Sequence, residues 1–103
     1  MAHVELARAA VEDLDRLIAA LSLPADTRER VRSTLRPLVE FPRIGAELTE
    51  HWEGLRFIVG PWRWMLLVYE YHEADDRVVV VTIQDARSSS AATHGQPITG
   101  DNR

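Results

Sequence analysis

Cysteine is absent from the 103 residues. That excludes disulfides, thiol nucleophiles and cysteine-ligated metals, and is in keeping with a reducing compartment. Lysine is absent too, so all twelve basic residues are arginines. No lysine can serve as a base or Schiff-base former, and any cationic chemistry must use guanidinium. That group stays protonated and presents a planar fork suited to phosphate or carboxylate. A long apolar run is also missing. The longest, residues 62–69 and 78–83, are of strand length and contain or border polar groups, far short of the roughly 18 residues of a membrane span. No basic segment followed by an apolar stretch opens the chain, which predicts no signal peptide, no membrane association and a cytoplasmic location. Glycine-rich phosphate loops, serine-nucleophile motifs and zinc-binding helices are missing. His3, His51 and His72 are not at metal-ligand spacing.

What remains is an ordinary globular composition. Hydrophobic residues make up 46% of the chain, enough for one modest core in a single domain. The net charge of −4 argues against broad, nonspecific nucleic-acid binding but leaves room for a local cationic site. No repeat or linker divides the chain. We expect one domain over residues 1–94 and a polar tail over 95–103.

Along the chain, residues 3–6 have strand character. Ala10, Val11, Leu14, Leu17, Ile18 and Leu21 then recur at three- and four-residue spacing, which predicts an amphipathic helix. Ser22, Leu23 and Pro24 end it. Asp26 and Glu29 are spaced as a capping box for a second helix with Val31, Leu35, Leu38 and Val39 on its buried face. Pro37 predicts a kink or an early end there, because it removes a backbone donor. Arg28, Arg32 and Arg36 share one face of this helix, with Arg43 shortly after, as a solvated face or a contact stripe. A connector with Pro42 and Gly45 leads to three strands, near 52–59, 62–71 and 77–85. The expected architecture is α+β: a short N-terminal strand and an antiparallel helical hairpin packed on one face of a mainly antiparallel sheet, in the order β-α-α-β-β-β.

Strand alternation assigns faces. A two-residue turn at Gly60 and Pro61 puts Leu55, Phe57, Val59, Trp62, Trp64, Leu66 and Val68 on one face, expected to cover the helices. Arg56, Ile58, Arg63, Met65, Leu67, Tyr69, Tyr71 and also Trp52 fall on the other. A three-residue loop over 74–76 would carry the register to Arg63 opposite Arg87, whereas a four-residue loop would turn Arg87 over. The preferred register gathers Arg56, Arg63 and Arg87 on the face opposite Trp62 and Trp64. Like charges so placed call for an anion or a nearby acid such as Asp85. Met65, Leu67, Tyr69 and Tyr71 would form an open apolar strip beside them, of the sort that binds a partner. The plain alternative is surface arginines paired with carboxylates.

Residues along 3–93 resemble one known family. Val4-Glu5-Leu6 with Ala10 and Asp13-Leu14 look like the opening strand and first helix of the RelE/ParE toxins of type II toxin–antitoxin systems, also called plasmid stabilisation proteins. Leu35, Leu38, Phe41-Pro42, Gly45 and Leu48 resemble the end of the second helix and the connector. Gly54-Leu55-Arg56-Phe57, Gly60-Pro61-Trp62-Arg63 and residues 78–83 followed by Arg87 resemble the three-strand signature. The resemblance implies a cytoplasmic growth-inhibiting toxin with a cognate antitoxin partner. It further implies an mRNA interferase on the ribosome, a metal-independent endoribonuclease with no cofactor. Arg63 and Arg87 would hold the scissile phosphate as a ribose 2′-hydroxyl attacks it, with Arg56 assisting. Leu66 stands where the family often has tyrosine, and His94 is the one residue near the C-terminus comparable to the family's base or stacking group. ParE-like members carry the same scaffold and poison DNA gyrase instead, and a non-toxic binding module that retained the fold is the remaining alternative.

Overall fold

The computed structural model describes residues 1–88 and 91–93. The expected tail over 95–103, together with His94, lies outside the described residues. The chain begins with strand β1 (His3–Leu6), followed by helix α1 (Arg8–Leu21), helix α2 (Thr27–Leu35) and a single-turn helix α3 (Pro37–Glu40). A two-residue strand β2 (Ala46–Glu47), a 3-10 turn (Glu50–Trp52) and strands β3 (Arg56–Val59), β4 (Met65–His72) and β5 (Arg77–Asp85) complete it. The α+β architecture is as expected. The sheet runs β1-β5-β4-β3-β2, with β1 parallel to β5 and every other pairing antiparallel.

The helices follow from their sequences. Ala10 and Leu14 are buried, while Val11 and Leu21 lie at the exposed border of the stripe. α1 stops at Ser22, which adopts left-handed geometry at φ 52°, and Leu23 N–H returns to Ile18 O at 3.1 Å. The expected capping box does not form. Asp26 sits at φ −94°, ψ 17°, outside the extended region from which a cap side chain reaches back to the first amides. Its carboxylate instead accepts from Arg30 Nε at 3.0 Å. Thr27 anchors the turn, its buried hydroxyl donating to Pro24 O at 2.6 Å. α2 ends before Pro37, which opens α3 at its first position, where the lost donor is harmless.

The sheet register differs from expectation in two places. β3 and β4 are joined by a longer loop than two residues, since Val59 pairs with Leu66 and Phe57 with Val68. The shift is even, so within the paired strands the residues sharing each face stay as expected, but the faces are used the other way round; Trp62 and Trp64, in the loop, part from Leu66 and Val68 and cover the helices as expected. Ile58, Met65, Leu67, Tyr69 and Tyr71 pack against Ala10, Leu14, Val31, Leu35 and Leu38 of the helices. Phe57, Leu66 and Val68 form a second cluster covered by Leu48, Ala91 and Ala92, with Trp52 and Leu55 beside it. The strip read as open is therefore the helical core, and Trp52 belongs to the cover of the opposite face. Alternation defines two faces but carries no label for which one meets the helices.

The second difference concerns β4 and β5. Their turn has four residues, with His72 paired to Arg77, yet a bulge between Val68 and Tyr69 leaves Val81 without a partner and restores the other parity. Met65 then faces Asp85, so the strand ends arrive in the register that a three-residue loop would have produced. Beyond the end of β1, the exposed edge of β5 is closed by a helix side chain. Asp13 of α1 accepts from Ile83 N–H at 3.2 Å and from the Thr82 hydroxyl.

Candidate functional site

The candidate arginines occupy two separate places. Arg56 pairs across β3 and β4 with Tyr69, four residues along β4 from Met65. At about 3.3 Å per residue that separates it by roughly 13 Å from the end where Arg63 and Arg87 enter. Its guanidinium faces the connector. Nη1 donates to Arg43 O at 3.0 Å and to Gly45 O at 2.8 Å, and Nη2 donates to Glu47 at 3.1 Å. Gly45 N–H donates to the buried Tyr69 hydroxyl at 2.9 Å. Burial pushes the Tyr69 phenol up from its ordinary pKa, against the opposing pull of the Gly45 amide and Arg56. Only glycine fits at position 45, since a Cβ there would lie 2.6 Å from the Tyr69 oxygen and 2.7 Å from Phe57 O.

Beside this lock lies a cleft of about 210 Å3 lined by Arg43, Gly54, Arg56, Tyr71 and Glu73. Arg43 lies over the Tyr71 ring at 5.0 Å and is paired with Glu73 at 2.9 Å. The Tyr71 hydroxyl donates to Asp76 at 2.7 Å. That bond holds the Asp76 carboxyl below its usual range and raises the Tyr71 phenol.

Arg63 and Arg87 flank the other end of β4. Trp62 and Trp64 leave the strand in the loop and pack on the helical side of the sheet. Their rings stack at 6.0 Å with 12° between planes. Arg30 of α2 lies over Trp62 at 5.6 Å and Arg87 over Trp64 at 4.7 Å, giving a four-layer ladder of guanidinium, indole, indole and guanidinium. Arg87 thus shares a side with Trp64, which corrects the expectation that it would lie opposite. Asp85 receives Arg87 in a two-point pair, Nε and Nη2 each at 2.8 Å, and the Arg87 amide at 2.9 Å. This holds the Asp85 carboxyl below its usual range and raises Arg87 further. Arg63 is exposed in the loop.

Chemically, the Arg87 end can receive an anion only in competition with Asp85. A carboxylate of lowered proton affinity is also a poor general base near neutral pH. Among the described residues no group of three or more His, Cys, Asp or Glu side chains is placed to hold a metal ion, and no helix is long and apolar enough to cross a membrane. The sequence placed Arg43 in a helix-two contact stripe and Tyr71 in an open apolar strip, and missed their meeting beside Glu73 as well as the scaffold role of Asp13. Their one visible signal was polar side chains next to apolar ones, which is common everywhere.

A helical layer on a mixed sheet in the order β1-β5-β4-β3-β2 defines a class: the fold of RelE-type toxins. It is similar to RelE in the intact E. coli RelBE toxin–antitoxin complex, with TM-score 0.62, 20% identity, and 84% of this chain and 98% of that chain covered. It is similar to the Mycobacterium tuberculosis toxin–antitoxin complex RelBE2, with TM-score 0.56, 20% identity and coverage of 82% and 96%. A variant of E. coli RelE in complex with an antitoxin RelB peptide matches with TM-score 0.63, 19% identity and coverage of 93% and 95%. At these identities the likeness speaks to fold. No curated protein matches significantly. The family model for the ParE toxin of the type II toxin–antitoxin system, parDE, matches residues 4–89, and the chain belongs to that family.

Proposed function

We propose that this toxin acts by binding a protein target, DNA gyrase in the manner implied by the ParE resemblance, and that a cognate antitoxin silences it. The observation that carries this reading is the division of the three arginines. Arg56 donates to the carbonyls of Arg43 and Gly45, and the Arg87 fork is occupied by Asp85. Cutting RNA needs donors preorganised around one developing charge, whereas Arg56 and Arg87 face different groups of the protein itself at separate places. The solved relatives bound to antitoxins support an antitoxin partner here. Action in the cytoplasm and a role in plasmid stabilisation belong to the same proposal and rest on the family resemblance alone.

The second reading is a ribosome-dependent mRNA endonuclease. One observation favours it: the Met65–Asp85 pairing directs Arg63 and Arg87 to the same end of β4, where a phosphate could displace Asp85. Induced expression separates the two. Gyrase inhibition predicts relaxed plasmid DNA and growth arrest with intact ribosome-bound mRNA. Codon-spaced mRNA cuts with normal plasmid supercoiling would replace it with the nuclease reading.

A further inference from the structure

The connector after α3 displays two large apolar side chains, and the protein works to hold them out. Phe41 is 58% exposed and Ile44 61%. They line a shallow cleft of about 360 Å3 with Pro42 and Arg43. A floppy loop could carry such residues without consequence. This one is pinned at Arg43 O and Gly45 O by Arg56, at Gly45 N–H by Tyr69, and at the Arg43 side chain by Glu73 and the Tyr71 ring. Fixing a surface before binding lowers the ordering cost that a partner would otherwise meet. Exposed apolar side chains held in place are the usual mark of a docking surface.

Arg43 joins this apolar cleft to the cationic one, since it lines both. The second cleft holds two guanidiniums, and their carboxylate partners are water-facing: Glu73 is 78% exposed and Glu47 75%. Pairs of that kind hold weakly and are readily exchanged for an incoming carboxylate. An apolar side chain on Phe41 and Ile44 and an acid on Arg43 are reached together by one short amphipathic segment.

We infer that the connector around Phe41, Arg43 and Ile44 docks an acidic amphipathic segment of the cognate antitoxin, with a carboxylate replacing Glu73 on Arg43. This rests on the toxin–antitoxin reading above, but not on which target the toxin attacks. A polyanion such as RNA fits less well, because Glu47 and Glu73 border the cationic cleft and Phe41 and Ile44 offer it no charge.

The probe is the antitoxin itself, taken as the protein that relieves growth arrest when co-expressed with the full chain, then purified and titrated. Phe41→Ser and Ile44→Ser should each weaken binding by about 10-fold, as central apolar anchors do. Arg43→Glu should weaken it more, and exchanging the matching antitoxin acid for arginine should recover much of that loss. Glu73→Gln should tighten binding by removing the competing carboxylate, a gain that a merely structural role for Arg43 would not give. Val11→Ser, at an exposed apolar position on α1, should leave affinity within twofold. Thermal melts confirm that each variant is folded. The docking site is overturned if Phe41→Ser and Glu73→Gln both bind like wild type while the antitoxin still neutralises the toxin. It is equally overturned if Val11→Ser costs more than Phe41→Ser, or if the chain alone forms a dimer that Phe41→Ser breaks. If no protein relieves the arrest, the toxin–antitoxin reading fails together with the site.

Discussion

Replacing Arg56 with alanine separates a structural arginine from a catalytic one. The side chain is 24% exposed and makes hydrogen bonds of 3.0 and 2.8 Å to two backbone carbonyls. A hydrogen bond from a charged donor contributes about 1.5–3 kcal/mol when buried. Partial exposure lets water replace part of each, and the ion pair to the water-facing Glu47 adds little. The loss should therefore total about 2–3 kcal/mol, which for a domain of this size lowers Tm by roughly 10–20 °C. Arg56→Lys should recover less than half, because a single ammonium lacks the planar fork that spans two carbonyls. Urea denaturation gives the free energy, and hydrogen exchange at Gly45 reports whether the connector has opened. A stability unchanged from wild type, combined with loss of toxicity, would refute the reasoning and return Arg56 to direct action on the target.

Other substitutions test other joints. Asp13→Ala removes the acceptor for Ile83 N–H and the Thr82 hydroxyl; it should cost about 2–3 kcal/mol and speed hydrogen exchange at Ile83, and normal exchange there would contradict the joint. Gly45→Ala places a methyl 2.6 Å from the Tyr69 oxygen and should cost about 1–3 kcal/mol in denaturation, a cost that Tyr69→Phe should partly relieve. The carboxyl of Asp85 is held below its usual range by Arg87, so the unfolded chain takes up this proton first as pH falls. The pair therefore adds stability above the ordinary carboxylate pKa, and that contribution is lost as pH drops through the lowered folded value. Asp85→Asn should flatten the acid limb of urea midpoints measured from neutral pH downward, and an unchanged limb would rule the contribution out.

Most elements were legible because they rest on local chemistry, whereas the two-residue β2 and the 3-10 turn fall where a connector and the start of a strand were expected. β1 and β5 come out at the expected bounds, and Pro37 divides the second helical segment as its missing donor requires. The sheet faces were not legible. Leu66 and Met65 are equally apolar, and only the covering segments decide which of them meets the helices. The bulge at Val81 was equally hidden, since four consecutive valines at 78–81 offer no side chain that marks a slipped register. The candidate arginines were legible as residues but not as one site. Arg63 and Arg87 arrive at one end of β4, whereas Arg56 turns to Arg43 O and Gly45 O, acceptors on a connector with no sequence signal that fixes its path.

Gyrase supercoiling in the presence of the purified chain tests the account most directly, with ribosomes programmed with mRNA assayed in parallel at the same concentrations. The wild type is expected to inhibit supercoiling, the antitoxin to relieve that inhibition, and the mRNA to stay uncut. Supercoiling that proceeds unhindered while the ribosome-bound message is cut, and is no longer cut by Arg63→Ala, would contradict it.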